Sequence, residues 1–142
     1  MKRYIVALVL MAGIAQATTN EITVSTTLKV SKDAVQLQRQ SGTKLIQMAG
    51  KRYNIQTITA TTSNQNLTKG SVGSCGWAYM RNLGTNGSPN VIITLDNGTT
   101  EAMLLEPGEP ALLRLAPAAV VSNFTVKASA TSVDFEFTVI ED

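Results

Sequence analysis

The stretch Val133-Asp134-Phe135-Glu136-Phe137-Thr138-Val139-Ile140 decides the fold class. Val133, Phe135, Phe137 and Val139 alternate with Asp134, Glu136 and Thr138. Successive side chains of a strand point to opposite faces, so a period of two reads as a strand with one buried and one wetted face.

The same period recurs upstream. Ile22, Val24, Leu28 and Val30 alternate with Thr23, Ser25, Thr27 and Lys29, and Val35 and Leu37 continue the pattern. Ser41-Gly42 makes a turn before Leu45, Ile46 and Met48, and Tyr53, Ile55 and Thr57 follow the break at Gly50. Residues 61–71 are polar and turn-forming, the composition of a surface loop. Next comes a strand through Cys75, Trp77 and Tyr79, with Gly76 and Ala78 on its other face, small enough to admit a close neighbour. Residues 82–89 form a second long turn region. Asn97-Gly98, between the runs Val91–Leu95 and Glu101–Leu105, is a strong hairpin signal. Glu106-Pro107-Gly108-Glu109-Pro110 separates that hairpin from Ala111–Leu115, and Phe124, Val126 and Ala128 make a short strand.

Pro107, Pro110 and Pro117 would interrupt any helix across Met103–Val121. The expectation is eight to ten short strands forming one all-β, antiparallel β-sandwich or jelly roll over residues 18–142. A domain of this size buries roughly two-thirds of its unfolded surface and needs no disulfide staple.

Residues 1–17 have a different character. Lys2 and Arg3 precede the apolar run Ile5–Ala12, and Ala15-Gln16-Ala17 fits a small-x-small cleavage site. The run is short of the about 20 residues of a membrane-spanning helix. The pattern is that of a cleavable secretory leader, which would give a periplasmic or secreted protein. The alternatives are an uncleaved apolar segment or a start placed upstream of a cytoplasmic protein.

Composition removes most catalytic chemistries. The 142 residues include no His and one Cys, which excludes imidazole general bases, triads, thiolate-cluster zinc and an intrachain disulfide. Cys75 therefore reads as a packed core residue. Twelve basic and ten acidic residues give +2, and beyond Lys2 and Arg3 the chain is neutral, unlike a nucleic-acid binder. No cofactor motif, metal set or nucleotide-binding loop is present in the sequence.

Carboxylates remain. Asp134 and Glu136 project from one strand face, the prerequisite for paired acid/base chemistry, but an ordinary solvent face explains them better. Glu106 and Glu109 bracket Pro107-Gly108, and turn solubility accounts for them better than a cation site that would need five or more oxygens. Arg81 follows the aromatic strand and Arg114 interrupts an apolar run. Beside Trp77 and Tyr79 these arginines would suit a stacked contact with a partner, or a local ion pair with an acid such as Glu101 or Glu109. The candidate assembly contacts are thus Trp77, Tyr79, Arg81, Glu106, Glu109 and Arg114. Asn66, Asn97 and Asn123 each begin an Asn-x-Thr sequon, of consequence only in a eukaryotic secretory pathway.

Four segments carry a family likeness. Asn20-Glu21-Ile22-Thr23-Val24 with Leu28-Lys29-Val30, and Gly76-Trp77-Ala78-Tyr79-Met80-Arg81-Asn82-Leu83, are two of them. The others are the Leu104–Pro117 stretch with its Leu-x-Pro-Gly-Glu turn and Arg-Leu-Ala strand, and the closing Val133–Asp142 with its Glu-Asp tail. In order over residues 20–142 they resemble a family of small all-β virion structural proteins of tailed bacteriophages, decorating the head or serving as minor structural subunits. The resemblance implies a subunit without enzymatic activity that assembles in the host cytoplasm with copies of itself and with capsid or other virion proteins. Residues 1–17 depart from that family's pattern. Three functions are set against one another: a virion subunit, an exported surface or pilin-like binding module, and a carboxylate hydrolase. The last lacks any sign of converging acids.

Overall fold

The structure is a computed structural model and describes residues 21–32, 35–48, 50–116 and 121–141. The leader expected at residues 1–17 lies outside the described residues. Twelve strands are present among them: β1 (Ile22–Val24), β2 (Thr27–Lys32), β3 (Val35–Gln40), β4 (Lys44–Ile46), β5 (Tyr53–Ala60), β6 (Gln65–Asn66), β7 (Cys75–Asn82), β8 (Val91–Thr94), β9 (Glu101–Leu105), β10 (Pro110–Arg114), β11 (Thr125–Ala128) and β12 (Val133–Glu141). A single 3-10 turn at Val121–Asn123 precedes β11. The fold is all-β and every pairing is antiparallel.

Residues up to Gln47 and residues from Met48 form two compact units. In the first, β2 pairs with β3 from Thr27↔Gln40 to Lys32↔Val35, and β1 pairs with β4 from Ile22↔Ile46 to Val24↔Lys44. Between the two ladders, the Ser41 N–H donates to the Thr26 carbonyl at 2.9 Å and the Thr26 N–H donates to Ser41 Oγ at 3.1 Å. Leu28 and Leu45 are exposed on these strands.

The second unit holds two four-stranded sheets, ordered β10-β7-β12-β5 and β6-β11-β8-β9. Their inward rows form one core. Ala60, Ala78, Met80, Phe135, Phe137 and Val139 come from the first sheet; Val91, Ile93, Leu105, Val126 and Ala128 come from the second. Sheet-on-sheet burial from alternating positions is the architecture of a sandwich. Phe135 and Phe137 are wholly buried, each stabilising the fold by about 2–3 kcal/mol. Across the ladder Phe135 faces Asn82, Phe137 faces Met80, and Val139 faces Ala78.

The sequence reading runs one sandwich across residues 18–142, whereas its strands all come from Tyr53–Glu141. Twelve strands replace the expected eight to ten. Part of the excess is β6, inside the stretch read as loop: Gln65 and Asn66 pair with Val126 and Thr125. Phe124, expected on a strand, is buried just ahead of β11. The Asn97-Gly98 hairpin is present between β8 and β9, with both residues at positive φ, 60° and 83°. No helix among the described residues is long and apolar enough to cross a membrane.

Candidate functional site

The outer face of the β10-β7-β12-β5 sheet gathers four of the six residues singled out from sequence. Strand β7 turns Gly76, Ala78, Met80 and Asn82 inward, where all are buried. Trp77, Tyr79 and Arg81 alternate with them and so share the outward face. Register brings neighbours alongside. Arg114 pairs with Trp77, Leu112 with Tyr79, and Pro110 with Arg81. On the other side of β7, Ile140 pairs with Trp77, Thr138 with Tyr79, and Glu136 with Arg81. Strand β5 completes the rows with Tyr53 beside Ile140, Ile55 beside Thr138, and Thr57 beside Glu136.

Three rows therefore cross the face: Arg114-Trp77-Ile140-Tyr53, Leu112-Tyr79-Thr138-Ile55, and Pro110-Arg81-Glu136-Thr57. The first two are largely apolar or aromatic. Tyr53, Ile55 and Leu112 are 66%, 58% and 40% exposed, while Trp77, Tyr79 and Ile140 are half-buried. Clusters of apolar and aromatic side chains left to solvent are the mark of contact surfaces.

Arg114 lies over Trp77 with its guanidinium carbon 5.3 Å from the ring centroid, a cation–π contact within the sheet. The Trp77 indole N–H is buried without an acceptor. Arg81 is exposed, and among the described residues no ion pair joins it to its cross-strand neighbour Glu136. Glu101, a partner considered for the arginines, binds Lys127 at 2.8 Å instead.

Glu106 and Glu109 stand apart from this face, in the β9–β10 turn. Glu109 N–H donates to the Glu106 carbonyl at 2.9 Å, and Gly108 sits at φ 81°, the geometry of a type II turn. Glu109 Oε2 accepts the Glu106 N–H at 2.9 Å, so that carboxylate braces the turn. A surface hollow is lined by Leu104, Glu106, Pro107, Gly108 and Glu109. Asp134 Oδ1 accepts the Thr59 hydroxyl at 2.8 Å on the solvent side of the sheet.

Two residues that sequence reading passed over hold the scaffold together. Asn82 is fully buried at the end of β7; its Nδ2 donates to the Pro89 and Leu105 carbonyls at 3.0 and 3.1 Å, and its Oδ1 accepts the Gly84 N–H at 2.9 Å. Its backbone joins the β9–β10 turn through bonds to Glu109 and Gly108. Glu141, at the end of β12, accepts the N–H groups of Gly73, Lys51 and Arg52 at 3.0, 2.9 and 3.2 Å. Those donors, Gly73 first, hold its carboxyl below the ordinary range.

Cys75 is buried, as the packing reading expects, and burial pushes its thiol pKa up. The described residues include no cluster of three or more His, Cys, Asp or Glu able to hold a metal ion. Compared with known proteins, the chain matches no family model, and no curated protein or solved structure is similar to it.

Proposed function

We propose that the chain is a non-enzymatic structural subunit of a bacteriophage particle, a decoration or minor virion protein that acts through protein–protein contacts. The observation that carries this reading is the outward Trp77-Tyr79-Arg81 strand, flanked by exposed Tyr53, Ile55 and Leu112 on one sheet face. Folding normally turns such side chains inward; here the inward places are taken by Gly76, Ala78, Met80 and Asn82, which leaves the aromatics for a partner. A broad sheet face suits a contact between proteins better than a small-molecule site, which is concave. The resemblance of residues 20–142 to small virion proteins supports the same reading.

A second reading is an exported surface or periplasmic binding module. It is favoured by the leader-like residues 1–17 and by the sheet ends at β5 and β10, each paired on one side among the described residues, which suit strand addition. Peptide mass spectrometry of gradient-purified particles, beside the periplasmic and secreted fractions, separates the two. Recovery in particles supports the virion subunit, and recovery solely outside the cytoplasm with an N-terminus at Thr18 supports the exported module.

A further inference from the structure

We infer that two copies of the chain pair face to face through the outer surface of the β10-β7-β12-β5 sheet, about a two-fold axis running along the strands between β7 and β12. This rests on the assembly reading above and names its partner as a second copy. An isologous pairing demands a surface complementary to itself. The three rows meet that demand in one orientation.

An axis along the strands keeps each row opposite itself, exchanges β10 with β5, and exchanges β7 with β12. Arg81 then meets the partner's Glu136, and Glu136 meets the partner's Arg81. In the same way Arg114 meets the partner's Tyr53, Trp77 the partner's Ile140, and Leu112 the partner's Ile55. Two ion pairs, two further cation–π contacts and two sets of apolar pairs arise together from the register. An axis across the strands would instead set Ile140 against the partner's Glu136 and bury that carboxylate unpaired. Packed sheets prefer strand axes within about 30° of each other, which either axis allows, so the pairing of Arg81 with Glu136 decides between them.

The three rows cover five residues on each of four strands, a footprint of roughly 19 Å by 17 Å, on the order of 300 Å² per copy. That is below the standard size of a specific interface, so a weak, concentration-dependent dimer is expected. Such an affinity fills at the local concentrations of an assembled particle.

Sedimentation equilibrium of the full chain from about 1 μM to about 1 mM tests the pairing. Wild type dimerises, and R81E and E136R alone each weaken the dimer at least about tenfold. Mixing R81E with E136R restores a heterodimer, because each copy then supplies the charge its partner lacks. Crowding of like charges inside one sheet cannot be relieved by mixing, so the rescue isolates the contact between copies. Melting of each variant at the lowest concentration confirms that it folds. A wild type that stays monomeric, or a mixture that fails to pair, overturns the proposal. Monomeric chain recovered in particles would overturn this pairing and leave the assembly reading intact. A rescued dimer missing from particles would do the reverse.

Discussion

The Arg114 guanidinium carbon lies 5.3 Å from the centre of the Trp77 ring, and the two residues are cross-strand partners in β10 and β7. The contact sits on the solvent side of the sheet, with Gly76 and Ala78 beneath it on the core side. An indole stacked under a cation on a sheet surface is an amphipathic platform, the kind of side chain that carries binding energy at protein interfaces.

Trp77 is half-buried, and its indole N–H has no acceptor. Trp77→Ala should therefore cost about 2 kcal/mol in folding, below the range for a fully buried Trp. Trp77→Phe loses no hydrogen bond and should cost about 1 kcal/mol or less. Urea unfolding at low protein concentration measures both. Equal losses would mean that the nitrogen contributes after all.

Asn82 satisfies two carbonyls and one N–H from the segments around it. Asn82→Ala should destabilise the fold by about 3 kcal/mol or more, because several buried backbone groups lose their partner at once. Asn82→Asp sets a carboxylate oxygen against the Pro89 and Leu105 carbonyls and should be no milder. Chemical denaturation decides it; a loss near zero for either variant would mean that water replaces the side chain.

Glu141 links stability to pH. Three backbone N–H groups favour its ionised form in the folded chain, so its folded pKa is lowered. Its stabilisation is complete above the ordinary Glu value of about 4.3 and is lost as pH falls below that and through the folded value. The melting-temperature gap between wild type and Glu141→Gln should thus stay constant at neutral pH and narrow as pH falls below the ordinary Glu value of about 4.3. A gap that stays constant would show that the charge is not what the N–H groups hold.

Gly50 provides a second check on the same carboxylate. A Cβ at Gly50 would overlap the Glu141 side chain, so Gly50→Ala must push that side chain out of its cradle. In a Glu141→Ala background the same change should cost little, a coupling that a double-mutant cycle reads directly. Additive losses would contradict the cradle.

Local pattern carried much of this fold. The alternation in Val133–Ile140 marks β12 and its inward face, and Asn97-Gly98 marks the hairpin of β8 and β9. The two-residue strand Gln65–Asn66 has no apolar period to announce it; it exists because Thr125 and Val126 offer an open ladder. Facing is legible in β12 but misleading in β5. By periodicity alone Tyr53 and Ile55 are the core side, yet Ile58 and Ala60 point inward instead. Register with β12 decides that, and register is a long-range property.

The candidate site was legible along β7, where a spacing of two places Trp77, Tyr79 and Arg81 on one face. That Arg114 joins them, with Leu112, Ile55 and Tyr53 beside it, follows from strand order, which no local pattern reveals. Glu106 and Glu109 were singled out for their charge, whereas their place in a braced turn follows from Pro107 and Gly108. Asn82 and Glu141 give no local signal at all, since their partners come from distant segments.

Hydroxyl-radical footprinting of the full chain across a concentration series tests the central claim, that this sheet face is where copies meet. Tyr53, Ile55 and Leu112 should lose reactivity as concentration rises, while Leu104, exposed on the other sheet, keeps its own. Protection of Leu104 with Tyr53 and Ile55 unchanged would contradict the account.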